Sequence, residues 1–121
     1  MSWERWLGER PIAVIATASP DGMPHAVPVE VVVGGGTVYT WGRGTSARLR
    51  NVLANQRAAL VAYKGDAYVM VRGPVRLLTA DDPEYARTTA LFLSKYQREE
   101  TYGNDVLIAI EPVTVVSRGI D

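Results

Sequence analysis

Three tight-turn signals, each set between apolar runs of strand length, constrain this chain to an antiparallel sheet. Ser19-Pro20-Asp21-Gly22 separates Pro11–Ala18 from Met23–Val33, Gly34-Gly35-Gly36 leads into Thr37–Trp41, and Lys64-Gly65-Asp66 joins Arg57–Tyr63 to Ala67–Leu78. Proline and glycine supply the backbone angles that tight turns need. Parallel neighbours need a crossover of a dozen residues or more, and these connections are far shorter. With Val106–Ser117 the sequence offers six strands in the order α-β-β-β-α-β-β-α-β. A doubly wound parallel sheet is excluded, because it needs a helix at each crossover. The expected fold is mainly β, a single domain over residues 1–121. It is a six-stranded antiparallel barrel with peripheral helices, since closure removes exposed edges.

Within that frame the details are local. Residues 2–8 predict a short amphipathic helix capped by Ser2, with Trp3, Trp6 and Leu7 on one face. Pro11–Ala18 is apolar at nearly every position, as for a strand buried on both sides. Pro24 and Pro28 remove ladder donors from the second strand, Gly73-Pro74 marks a bulge or bend in the long fifth one, and Pro112 breaks the last strand once. Asp81-Asp82-Pro83-Glu84 starts a helix to about Tyr96 that buries Tyr85, Thr89, Phe92 and Leu93. Gln97–Asp105 is polar and reads as a loop.

Composition removes several function classes. Thirteen basic residues balance thirteen acidic ones, so no net field recruits nucleic acid or an anionic membrane. Cysteine is absent, which excludes disulfides and thiol redox chemistry. The single histidine, His25, and the lack of clustered acids argue against a metal site. His25 reads as a strand residue hydrogen-bonded to backbone. No segment is long and apolar enough to span a bilayer, and the N-terminus lacks a signal-peptide pattern, so a cytoplasmic protein is expected.

Trp41–Ala59 (W-G-R-G-T-S-A-R-L-R-N-V-L-A-N-Q-R-A-A) carries the most chemistry. Thr45-Ser46 is a helix N-cap, Leu49, Val52 and Leu53 form a buried face, and Arg43, Arg48 and Arg50 crowd the first turns. A helix start offers unpaired N–H groups and partial positive charge, and arginines beside it can hold a phosphate. The same residues also fit a capped surface helix with solvated arginines. Glu30 and Glu111 fall in apolar runs and need partners, for which Arg72 or Arg76 would serve. Tyr39, Trp41 and Tyr68 lie where they could stack on a flat ring.

P-D-G-M-P-H-A-V-P-V (20–29), V-Y-T-W-G-R-G-T-S-A-R-L-R-N (38–51), N-Q-R-A-A-L-V (55–61) and Y-V-M-V-R-G-P-V-R-L (68–77) together resemble the pyridoxamine 5′-phosphate oxidase-like FMN-binding split barrels. The pattern is most similar to the flavin/deazaflavin oxidoreductases, which use FMN or the deazaflavin coenzyme F420. The resemblance implies a homodimer with cofactor sites at the subunit interface and hydride transfer to a small unsaturated substrate. The residue that holds the cofactor phosphate falls on Arg48, with Thr45 and Ser46 beside it. Pro28, Val29 and Val31 fall where the family's strand meets the ring, and Trp41-Gly42 at the end of the next strand. Tyr68 and Arg72 would come from the partner subunit.

Two departures bear on the activity. The end V-V-S-R-G-I-D lacks the arginine-proline tail of true pyridoxamine-phosphate oxidases, and Val29-Glu30-Val31 lacks their FMN-contacting arginine. Both argue against vitamin B6 oxidation. Glu30 near a phosphate is unfavourable unless it faces elsewhere, while Arg43, Arg48 and Arg50 suit the longer anionic tail of F420. F420 is therefore favoured over FMN. The competing reading is a non-catalytic dimer that carries or sequesters F420, FMN or another flat ligand such as haem, because no dedicated proton donor beyond Tyr39 and Tyr68 is evident.

Overall fold

A computed structural model describes residues 1–100 and 106–121. Its elements are α1 (Trp3–Gly8), β1 (Ala13–Ala18), β2 (Pro24–Val29), β3 (Val32–Gly34), β4 (Thr37–Gly42), α2 (Ala47–Asn55), β5 (Arg57–Lys64), β6 (Ala67–Leu78), α3 (Pro83–Tyr96), β7 (Val106–Ile110) and β8 (Thr114–Arg118). Every strand pair among the described residues is antiparallel, as the short turns require, with β1–β2 and β5–β6 as hairpins. The expected mainly-β class holds, but the strand count does not. The described residues form eight strands rather than six, because two long runs are each broken once.

The sheet runs β2-β1-β5-β6-β7-β4-β3, with β8 beside β6. It curls into a split half-barrel, and among the described residues its ladder leaves β2, β3 and β8 as edges. The first break falls at Glu30-Val31, between β2 and β3. There Val31 N–H donates to the Tyr96 hydroxyl at 2.9 Å instead of to a neighbouring strand. The second falls between β7 and β8. Opposite β6 the register steps from Val75↔Ile110 to Arg72↔Thr114, which inserts one extra residue on the β7–β8 side. Gly73 faces that bulge, and a Cβ built on it would lie 1.9 Å from the Glu111 carbonyl oxygen. Glycine is there for close approach.

The main core lies inside the curl: Leu7, Ile15, Val31, Val38, Leu60, Val71, Ile108 and Ile110 are all buried. Burying each such side chain fully contributes about 1.5–3 kcal/mol. A second cluster, Tyr39, Trp41, Leu78, Phe92 and Leu107, lies under α3, so β4 is buried along its whole length. α1 forms as expected, capped by Ser2 with Trp6 and Leu7 buried.

Three expectations about buried faces are corrected. β1 alternates between buried and more open positions, so within one chain only one of its faces is covered. In α2, Leu49 and Val52 are buried but Leu53 is 59% exposed. Asn51 takes the inward place instead, because its side-chain amide donates to Thr17 Oγ1 at 3.0 Å. In α3 the buried pair is Thr88 and Phe92, with Tyr85, Thr89 and Leu93 only partly covered. Of the predicted loop Gln97–Asp105, residues 101–105 lie outside the described residues.

Candidate functional site

Where β2 ends and α2 begins, a cavity of about 280 Å³ is lined by Pro28, Val29, Glu30, Thr40, Trp41, Arg43 and Arg48. Its floor exists because the chain breaks at Glu30. The Thr40 hydroxyl donates to the Glu30 carbonyl at 2.7 Å, which draws the β2 end toward β4. The basic side comes from the turn after β4. Ser46 caps α2, accepting from Leu49 N–H at 3.3 Å and donating to the Arg43 carbonyl at 2.8 Å. Arg48 Nε donates to the Trp41 carbonyl at 2.8 Å, which fixes its guanidinium against the cavity wall.

The far side of the break is held by the end of α3. Lys95 Nζ donates to the carbonyls of Arg10 at 2.6 Å and Val31 at 2.5 Å. The Tyr96 hydroxyl donates to the Pro11 carbonyl at 2.7 Å while accepting from Val31 N–H. Burial pushes the Lys95 ammonium down to about 8, with the Arg10 charge adding to the effect and Glu30 opposing it. Arg98 grips Glu30 with both terminal nitrogens, Nη1 to Oε1 at 2.6 Å and Nη2 to Oε2. Glu30 thus pairs with Arg98 and not, as expected, with Arg72 or Arg76. Glu111 does take Arg76, at 2.6 Å, and Arg76 also binds Glu84 at 3.1 Å.

Of the sequence-predicted residues, the fold brings Pro28, Val29, Trp41 and Arg48 to one cavity. Val31 and Gly42 are buried next to lining residues; a Cβ on Gly42 would meet the side chains of Ile108 and Leu49. Thr45 and Ser46 do not line the cavity. The Thr45 carbonyl accepts from Arg50 Nη1 at 2.7 Å, so Arg50 is engaged in holding the loop. Tyr68 and Arg72 lie elsewhere, on the outward face of β6; Arg72 borders a separate groove. Neither tyrosine borders the cavity. Tyr39 is buried under α3, with its hydroxyl on Glu84 at 2.5 Å, and burial first and Glu84 second raise its pKa. The Trp41 ring packs against Phe92, centroids 4.9 Å apart, and edge-on to Tyr85 at 6.4 Å. His25 lies in β2 as expected, but its Nδ1 is buried with no hydrogen-bond partner among the described residues. Among the described residues no cluster of potential metal ligands forms, and no helix is long and apolar enough to cross a membrane.

Sequence reasoning had passed over Thr40 and Arg98. Thr40 left a signal, a hydroxyl in an otherwise apolar strand. Arg98 left none, because its partner is 68 positions away.

Comparison with known proteins adds the family. A profile described as pyridoxamine 5′-phosphate oxidase matches residues 2–118. A search of curated proteins finds no match. Among solved structures, the chain is similar to a protein named as an F420 reductase, at 25% identity and a TM-score of 0.74, over 96% of this chain and 98% of that one. A conserved hypothetical protein from Mycobacterium tuberculosis shares the fold at 18% identity and a TM-score of 0.81, over 97% and 84% of the two chains. The haem storage protein HutZ from Vibrio cholerae shares it at 12% identity and 0.77, over 98% and 96%.

Proposed function

The chain belongs to the pyridoxamine 5′-phosphate oxidase family of split barrels, and from that premise we propose that it is a cytoplasmic flavin- or deazaflavin-dependent oxidoreductase acting on a small unsaturated organic substrate. The observation that carries the reading is the cavity itself. It gathers Pro28 and Val29, Trp41, and Arg43 and Arg48, from separate stretches of the sequence, into one mostly polar recess with two arginines.

These residues fit a phosphate-bearing ring cofactor. Arg48, fixed through Nε on the Trp41 carbonyl, presents its guanidinium to an anion with little entropy left to lose. Arg43 adds a second charge, and the α2 start adds its dipole. Glu30, the acid on this wall, is neutralised by Arg98 and so does not repel a phosphate. Thr45, Ser46, Gly42 and Val31 act behind the wall by setting the loop and strand that shape it. At about 280 Å³ the recess is just smaller than ligand clefts, which run roughly 300–1,000 Å³. It holds part of such a cofactor and leaves the rest to another surface.

A second copy supplies that surface in this reading. On the outward face of the sheet, Pro28, Val14, Val61, Met70 and Val116 form one continuous row across five strands. An apolar row of that length marks an interaction face. Tyr68 shares that face and would reach the cofactor of the partner, whereas Arg72, expected to do the same, borders a separate groove. The bound cofactor supplies the hydride, while this chain's residues bind it, orient it and exclude water. F420 is favoured over FMN, because the arginines suit a long anionic tail and one neighbour, at 25% identity, is named as an F420 reductase.

Equilibrium titration of F420 and FMN, with Arg48→Ala alongside, tests the proposal. Tight binding of one cofactor that weakens about tenfold or more in the variant supports it, since a charge-assisted contact is worth about 1.5–3 kcal/mol. Absence of binding by both refutes it. A carrier without turnover is the second reading, favoured by Glu30 being tied to Arg98 and so poorly placed for proton transfer. Incubating reduced cofactor with enones and quinones separates the two, because only an enzyme oxidises it.

A further inference from the structure

The outward face of the sheet carries a second recess, of about 540 Å³, between the β1–β5–β6 strands and the β7–β8 bulge. Its floor is made of the smallest side chains on that face. Ala16 pairs with Ala59, and Ala59 with Arg72, so these three form one row. The neighbouring row of Val14, Val61 and Met70 is bulkier, so the alanine row lies lower than its neighbour. The backbone of Gly73 borders the same end, where the Glu111 carbonyl closes over it.

Two arginines flank this apolar floor. Arg57 pairs with Pro74 and Ala59 with Arg72, so Arg57 and Arg72 occupy diagonal positions on one face of an antiparallel pair. Diagonal neighbours lie roughly 7–8 Å apart, a separation that two guanidinium groups can bridge around one anion. Neither arginine has an ion-pair partner among the described residues, whereas Arg76 and Arg98 do. Two like charges this close favour a ligand that neutralises both.

We propose that this groove binds a small molecule with a flat apolar body and one anionic group, the body on Ala16, Ala59 and Gly73 and the anion between Arg57 and Arg72. If the function proposed above holds, on which this last step alone rests, that molecule is the substrate, and the substrate class is a planar unsaturated acid. The binding itself is independent of any cofactor.

The test uses the full chain without cofactor, titrated by calorimetry and by NMR with 2-naphthoate, 2-naphthyl phosphate and neutral 2-naphthamide. The expected result is that at least one anion binds tenfold or more tightly than the amide, with shifts centred on Ala16, Ala59 and Gly73. Arg57→Gln and Arg72→Gln should each weaken the anion tenfold or more and leave the amide unchanged. Equal binding of anions and amide, shifts centred on Trp41 and Arg48, or no binding of either anion overturns the proposal. Arg48→Ala separates the two ideas: loss of F420 and FMN binding there leaves naphthoate affinity intact, and absent cofactor binding in the unmodified chain sinks only the function proposed above.

Discussion

Arg98 closes on Glu30 through both terminal nitrogens, so the carboxylate on the cavity wall carries its own counterion. The Glu30 side chain is 15% exposed and that of Arg98 33%. At that burial a carboxylate stripped of its partner is costly.

Replacing Arg98 should therefore harm both stability and ligand binding, and a second change should reverse the harm. Arg98→Met is expected to lose about 1–3 kcal/mol of unfolding free energy. The unmasked charge should also weaken F420 or FMN by about tenfold, equivalent to 1.4 kcal/mol. Glu30→Gln in the same chain should restore most of the binding. If the single and double variants bind alike, the carboxylate has no influence on the cavity.

Gly73→Ala tests the bulge. A Cβ there meets Glu111 O at 1.9 Å and Val113 N at 3.1 Å, both backbone atoms with little room to yield. Overpacking of this kind costs about 1–3 kcal/mol. Urea unfolding should show a clearly lowered midpoint; an unchanged midpoint would mean that the bulge relaxes freely.

Lys95 gives the fold a pH signature. Its folded pKa, pushed down to about 8, lies below the ordinary lysine value, so above pH 8 the unfolded chain holds more protons than the folded one. Stability then rises with pH through this group. Both hydrogen bonds survive deprotonation, because a neutral amine still has two N–H donors for Arg10 O and Val31 O. Between about pH 8 and 9.5 the gain should be about 1 kcal/mol once solvent screening is allowed for. Tyr39 acts in the opposite sense only above its ordinary pKa, since its folded pKa is raised. Chemical denaturation over that range should show the gain in the native chain and not in Lys95→Met.

Met70→Glu places a charge in the middle of the outward apolar row, between Val61 and Val116. Sedimentation velocity should show a dimer for the native chain at micromolar concentration and a monomer for the variant, with cofactor affinity falling in parallel. A native chain that sediments as a monomer would remove the interface from the functional proposal.

Much of this molecule was legible because it is local. Turn residues announced the hairpins, Ser2 and Ser46 announced helix starts, and the apolar β1 run announced a strand, although its second face is open within one chain. Pro112 announced the break in the last strand, but the break at Glu30-Val31 and the form of the β7–β8 bulge were not legible, because each depends on distant partners. Val31 leaves the ladder for Tyr96, 65 residues on, and the β7–β8 bulge answers to Gly73 on another strand. The same reason explains the misassigned partner of Glu30. Spacing along a helix also misjudged Leu53, since the Asn51–Thr17 bond turns α2 by a side-chain preference that periodicity does not register.

The last turn of α3 touches the cavity only from behind, through Val31, Glu30 and the strand leading out of Pro11. Relatives of this chain could thus change what they accept without altering a single lining side chain. A substitution at 95, 96 or 98 would shift the angle at which β2 meets β3, and the pocket would be retuned by remote adjustment.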